Sequence, residues 1–275
     1  GVLPVYFKLI ETVASSEVLA QRIIWAIPFG ALIIHARRQW PDVLLALRHR
    51  QMLPWLVASA ILIAINWYTY IVAVQTDRIF QASLGYYINP LIFVLAGVTI
   101  FGEKLRTLQT AAVVLAALGV LVLTVSGGEF PWISIALGLS FTAYGVIRKR
   151  VVIGAMPGLF VETLVLAPLA LLWLAWMMRS GEAVFGTVGP GMTGLLVLAG
   201  PITVVPLVMF AIAARRLTLA TVGFMQFLAP SMQFATGVYY GEQLTLPRLI
   251  CFACIWIAVV LFSMDAIRTR KPDRP

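Results

Sequence analysis

Nothing constrains this chain more than its succession of long apolar runs, each ended by a short charged connection. A helix rises about 1.5 Å per residue, so crossing a hydrocarbon core roughly 30 Å thick takes about 20 mostly apolar residues. Ten runs fit this plan: Gly1–Val13, Val18–Ile34, Pro54–Gln75, Ile79–Phe101, Leu108–Val125, Trp132–Ile147, Gly158–Met177, Met192–Ala214, Leu219–Tyr240 and Leu246–Ile267. Backbone groups in lipid must be hydrogen-bonded within the protein, so the runs are expected to be helices. The expected fold is an all-α integral membrane bundle of ten transmembrane helices. The first run is too short for a full crossing, and the first helix is expected to be truncated at its N-terminus.

Composition agrees with this and excludes a soluble domain. Hydrophobic residues make up 61% and charged residues 11% of the chain, against about 25% charged in soluble proteins. A water-exposed surface could not absorb that surplus without large apolar patches.

The net charge is +9, and its distribution decides what it means. Fifteen Lys and Arg residues fall in alternate connections: Arg37, Arg38, Arg48 and Arg50; Lys104 and Arg106; Arg148, Lys149 and Arg150; Arg215 and Arg216; Arg268, Arg270, Lys271 and Arg274. The other connections hold only three, Arg78, Arg179 and Arg248. Positive charge is retained on the cytoplasmic side, so both termini are expected to be cytoplasmic. The alternation also argues against nucleic-acid binding, which calls for a basic patch on one face. Trp40, Trp55, Trp132, Trp173 and Trp176 lie where interfacial anchors belong.

Two segments of the chain repeat. One runs Ile88-Asn89-Pro90 and then Phe101-Gly102-Glu103-Lys104-Leu105; the other runs Leu228-Ala229-Pro230 and then Tyr240-Gly241-Glu242-Gln243-Leu244. Each reads as a proline-broken helix ending in aromatic-Gly-Glu-x-Leu, with one span to follow. Each therefore closes a five-span half, residues 1–126 and 127–275. Five is odd, so the second half is expected to cross the membrane upside down. Inverted repeats are a recurring plan of transporters, with a central site opened alternately to each face. A duplicated scaffold or sensor that transports nothing is the alternative.

Long runs carry a resemblance over nearly the whole chain. They are Asn66-Trp67-Tyr68-Thr69-Tyr70, Ala82-Ser83-Leu84-Gly85-Tyr86-Tyr87-Ile88-Asn89-Pro90-Leu91, Tyr144-Gly145-Val146-Ile147-Arg148-Lys149, Glu162-Thr163-Leu164, Pro206-Leu207, Ala214-Arg215-Arg216, Gly223-Phe224-Met225-Gln226, Pro230, Glu242 and Ile255-Trp256. In these the chain resembles the drug/metabolite transporter superfamily, with two EamA-type halves, and within it the RarD group of bacterial permeases. The resemblance implies an inner-membrane transporter with the third, fourth, eighth and ninth helices around the solute path. Gln81 stands where the resemblance leads one to expect an acidic residue.

Polar groups at membrane depth are the candidate functional residues, because they are costly there. Asn66 and Tyr70 share a helix face, as do Gln81, Gly85 and Asn89; Tyr86 lies on the adjoining face, and Gln226, Pro230, Gln233 and Gly237 form a stripe. Asn66, Tyr70, Tyr86, Asn89, Gln226 and Gln233 are therefore expected to bind solute across a central cleft, by stacking and hydrogen bonds. Core packing with hydrogen bonds between helices is the competing reading. Pro90, Pro206 and Pro230 each remove a helix hydrogen bond and are candidate hinges. Lys8, Glu17, Arg22 and Glu162 are candidates for a charge network or for ion coupling. Glu162 reads either as a proton or cation site or as an interface residue paired with an arginine of Arg148–Arg150.

No catalytic signature accompanies them, so the chain is not expected to be an enzyme. The run Gly97 to Lys104 is a near miss of a phosphate loop and lacks its Gly-Lys-Ser/Thr end. Cys251 and Cys254 lie in an apolar run without a second pair to complete a metal shell. His35 and His49 fit no ligand pattern. No metal or cofactor is expected. The expected partners are a small-molecule substrate, drug-like or amino-acid-like, and the lipid bilayer, with export as the expected direction.

Overall fold

The computed structural model describes residues 3–101, 105–127, 130–216 and 228–268. These residues form eleven helices and no strand. They are α1 (Leu3–Leu9), α2 (Ser15–Ala36), α3 (Trp40–Arg48), α4 (Leu53–Gln75), α5 (Ile79–Phe101), α6 (Thr107–Gly127), α7 (Trp132–Arg150), α8 (Ala155–Ser180), α9 (Pro190–Arg216), α10 (Leu228–Tyr239) and α11 (Leu246–Arg268). Among the described residues, five stretches are long and apolar enough to cross a membrane: Ser15–Ala36, Leu53–Gln75, Thr107–Ser126, Ala155–Ser180 and Leu246–Asp265. Trp132–Arg148 and Pro190–Pro206 are shorter apolar helices.

Two features depart from the sequence reading. The basic connection after α2 is not plain loop but carries α3, started by Pro41 in its first turn, where the missing N–H costs nothing. The fourth span is not broken at Pro90: α5 runs continuously from Ile79 to Phe101. Lost helix bonds can be tolerated in membrane helices where neighbouring groups re-satisfy the backbone. Pro28, Pro168, Pro201 and Pro206 likewise sit inside continuous helices.

The chain forms two compact units, and neither is one sequence half. The first comprises residues 1–4, 76–142 and 217–275, and so contains α5, α6, α10, α11 and the start of α7. Its most extensive helix pair is α6 with α11. Gly119 makes that approach possible, since a methyl group there would lie 2.8 Å from Cys254 Cβ and 3.2 Å from the Cys251 carbonyl. The Cys-x-x-Cys pair is thus helix packing, with both thiols free and Cys251 fully buried. Phe80, Phe234, Phe252 and Trp256 make an aromatic core in which neighbouring ring centroids stand 4.6–6.1 Å apart, the spacing at which edge-on and offset rings attract.

The second unit comprises residues 5–75 and 143–216. Its α2 lies against α4, α8 and α9. Helices in lipid gain from close backbone approach at small residues. Gly200 of α9 supplies it here, because a methyl group would fall 2.3 Å from the Trp25 carbonyl oxygen of α2. Gly30 does the same for the Phe160 ring at 3.0 Å.

Candidate functional site

Glu162 of α8 is fully buried in the second unit. Ser59 Oγ of α4 donates to its Oε1 at 2.6 Å, and Tyr144 OH of α7 donates to Oε2 at 3.2 Å. Arg148 Nη1 lies 3.6 Å from Oε1, and Arg148 Nη2 donates to the Gly154 carbonyl at 3.1 Å. Gly158, one helical turn before Glu162, clears the way: a methyl group there would sit 1.9 Å from Arg148 Nη1. A buried carboxylate is tolerable only when a charge partner and hydrogen bonds offset its desolvation, and two neighbouring helices, α4 and α7, supply them here.

The other charged candidates of this unit hold separate positions. Lys8 pairs with Glu11 at 3.0 Å, three residues on. Glu17, fully buried on α2, accepts hydrogen bonds from the Val184 and Phe185 amides at 2.9–3.1 Å, anchoring the connection between α8 and α9. Arg22 Nε donates to Thr203 Oγ1 of α9 at 2.7 Å, and its guanidinium stands 4.3 Å from the centre of the Trp67 ring. That is a cation–π contact, strengthened by burial. Asn66 and Tyr70 flank Trp67 on α4, and both are buried. The Tyr70 ring meets Phe7 of α1 edge-on at 5.9 Å.

In the first unit, α5 presents two polar faces. One packs on α10: Ser83 Oγ donates to the Pro230 carbonyl at 2.8 Å, and the Tyr87 and Ser231 hydroxyls are hydrogen-bonded. The Gln81, Gly85 and Asn89 stripe instead faces α7. Ser134 Oγ donates to the Gln81 carbonyl at 2.7 Å, Gly85 abuts Leu137, and a methyl at Gly138 would lie 3.5 Å from Asn89 Oδ1. Asn89 and Gln233 are buried, and their amide oxygens have no hydrogen-bond partner among the described residues. Tyr86 is half-buried.

Glu242 follows α10, after a turn in which Gly241 adopts a left-handed φ of +78°. Its carboxylate accepts from the Ile79 and Phe80 amides, capping α5. Helix N-termini favour negative charge, yet burial dominates and raises the Glu242 pKa above the ordinary range, with the two amides opposing the shift.

The sequence-predicted residues thus divide. Asn66, Tyr70, Pro206, Lys8, Glu17, Arg22 and Glu162 belong to the second unit; Tyr86, Asn89, Pro90, Pro230 and Gln233 belong to the first. Gln226 lies outside the described residues. Sequence reasoning does not reach Ser59, Thr203 or the cap made by Glu242, because their partners lie 103, 181 and about 160 residues away. The one usable signal was the Gly158 and Glu162 spacing, which puts a gap beside a buried acid. Among the described residues no group of three His, Cys, Asp or Glu side chains could hold a metal ion.

Residues 1–125 match the EamA-like transporter family. The chain is 40% identical to a protein of Vibrio cholerae described as an uncharacterized transporter, over all of this chain and 91% of that one. It is 39% identical to Protein RarD of Escherichia coli, over 98% of this chain and 92% of that one. The Chloramphenicol-sensitive protein RarD of Pseudomonas aeruginosa is 33% identical, over 99% and 92%. A crystal structure 19% identical in sequence covers 98% of this chain and 96% of its own, with a TM-score of 0.62, which shows a shared fold. With near-full-length relatives at this identity and apolar helices long enough to cross a bilayer, the chain belongs to the EamA-like transporter family, a multi-pass membrane transporter of the bacterial inner membrane.

Proposed function

We propose that the protein exports a small organic solute by alternating access, through ten helices arranged as inverted halves, residues 1–126 and 127–275, with both termini cytoplasmic. The observation that carries this reading is the burial of neutral hydrogen-bonding groups in otherwise apolar helices: Asn66 and Tyr70 on α4, Asn89 on α5 and Gln233 on α10. Such groups are costly at membrane depth. They can hold an amphipathic solute and release it, where a fixed charge would grip too tightly. Asn66, Tyr70, Tyr86, Asn89, Gln226 and Gln233 are the proposed solute contacts. Drug-like and amino-acid-like molecules are the proposed classes. Pro90, Pro206 and Pro230 are the proposed hinges, and Lys8, Glu17, Arg22 and Glu162 support or couple the motion.

Two variants test the contacts. Tyr86→Ala and Gln226→Ala should each lower solute flux at least roughly tenfold, the loss expected when a stacking or hydrogen-bond contact of about 1.4 kcal/mol disappears, with membrane insertion unchanged. Full flux in both variants would remove the case for a shared binding site. Single-cysteine labelling tests the orientation, with Asp77→Cys expected to react from outside and Arg38→Cys from inside only.

A further inference from the structure

Between Ala36 and Met52 the chain holds Arg37, Arg38, Arg48, His49 and Arg50 against a single acid, Asp42. All four arginines are exposed. α3 runs through the middle of this stretch and does not stand off in water. Val43 and Ala46, three residues apart on one face, are buried in a core with Ile34, Leu56, Met156 and Phe160. Trp40 meets the Phe160 ring edge-on at 5.7 Å. Phe160 lies five residues into α8, so α3 lies beside roughly the first 8 Å of a membrane-crossing helix, at about 1.5 Å per residue.

The rest of α3 is uncovered, and three leucines lie among its exposed residues. Leu44, Leu45 and Leu47 are 49%, 58% and 40% exposed. A cavity of about 190 Å³ lined by Gln39, Leu45, Met52 and Ile153, among others, leaves part of the helix edge open.

Leucines at the depth of a membrane interface, flanked by arginines, mark a helix that lies in the headgroup region. Water would leave the leucines solvated. A zwitterionic leaflet would cover them but give the arginines no net counter-charge. Acidic phospholipid satisfies both, with acyl chains over the leucines and phosphates against the guanidinium forks. We propose that α3 and its flanking arginines form a docking surface for acidic phospholipids. Its assignment to the cytoplasmic leaflet rests on the orientation proposed above; the surface itself does not depend on the transport reading.

The test uses the intact protein in nanodiscs of phosphatidylcholine, with and without phosphatidylglycerol. Phosphatidylglycerol should raise the thermal unfolding midpoint of the wild type by several degrees and be retained in native mass spectra. Each arginine near an acidic surface contributes roughly a fivefold change in retention. The variant with Arg37, Arg38, Arg48 and Arg50 all changed to Gln should therefore lose retention by well over roughly a hundredfold and lose the midpoint shift. Arg48→Gln with Arg50→Gln gives a milder, partial loss should the fourfold variant fold poorly. Both leaflets of a nanodisc carry the lipid, so orientation does not affect the outcome. An equal shift in wild type and variants, no shift in the wild type, or the same shift from inorganic phosphate added to phosphatidylcholine discs would overturn the proposal.

Discussion

Ser59 Oγ and Glu162 Oε1 are joined by a 2.6 Å hydrogen bond between α4 and α8. With Arg148 and Tyr144 completing the cluster, each partner's removal has a distinct expected cost. Glu162→Ala leaves the partly buried Arg148 guanidinium without its acid and should destabilise the protein by about 3 kcal/mol. Ser59→Ala removes one hydrogen bond to the carboxylate and should cost about 1.5–2 kcal/mol. Equilibrium unfolding in detergent checks the order. Equal costs for the two variants would mean that the ion pair contributes nothing beyond the hydroxyl.

Gly158 tests the same cluster from its packing side. Gly158→Leu would drive the α8 side chain into the space of the Arg148 guanidinium. The expected cost is about 1–3 kcal/mol from overpacking, and it should shrink in an Arg148→Ala background, where the guanidinium no longer fills the space. A cost that is the same in both backgrounds would show that Arg148 is not what Gly158 accommodates.

Gly119 and Gly200 carry backbone-close helix contacts in different units. Gly200→Val should be the more damaging of the two, because a methyl there would fall 2.3 Å from the Trp25 carbonyl oxygen, against 2.8 Å from Cys254 Cβ at Gly119, and neither neighbour can rotate away. The thermal unfolding midpoints of Gly200→Val and Gly119→Val decide this. A smaller loss at Gly200 contradicts the packing account of α2 and α9.

Glu242 gives a pH dependence with a definite sign. Burial raises its pKa in the folded protein, so the folded state binds the proton more tightly than the unfolded chain does. The stabilisation linked to that proton is fully present below the unfolded value of about 4.3 and is lost as pH rises through the raised folded value. The midpoint of the wild type, measured against Glu242→Gln, should therefore fall over that acidic window and level off above it. A difference that grows with rising pH would mean that the Ile79 and Phe80 amides outweigh burial.

Spans such as the third were legible because apolar length is a property of local sequence: α4 begins and ends within a residue of the expected Pro54–Gln75. α3 was hidden because four arginines crowd a nine-residue helix whose apolar side is only partly covered. The partners of buried charges were hidden for a different reason. Arg22 finds Thr203 and Trp67, and Glu17 finds two backbone amides near residue 184, through tertiary packing that no sequence spacing encodes. The unbroken α5 shows a further limit, since a proline reveals a missing hydrogen bond and not whether the helix bends or continues.

Counterflow in proteoliposomes tests the central claim, that this protein carries a small organic solute across the bilayer. Vesicles holding purified protein and a high internal concentration of an amphipathic amine or amino acid are placed in a trace of the same radiolabelled solute. The account predicts transient accumulation of label above equilibrium, dependent on the internal solute and absent from protein-free vesicles. Folded protein that gives no accumulation with any drug-like or amino-acid-like solute would contradict it.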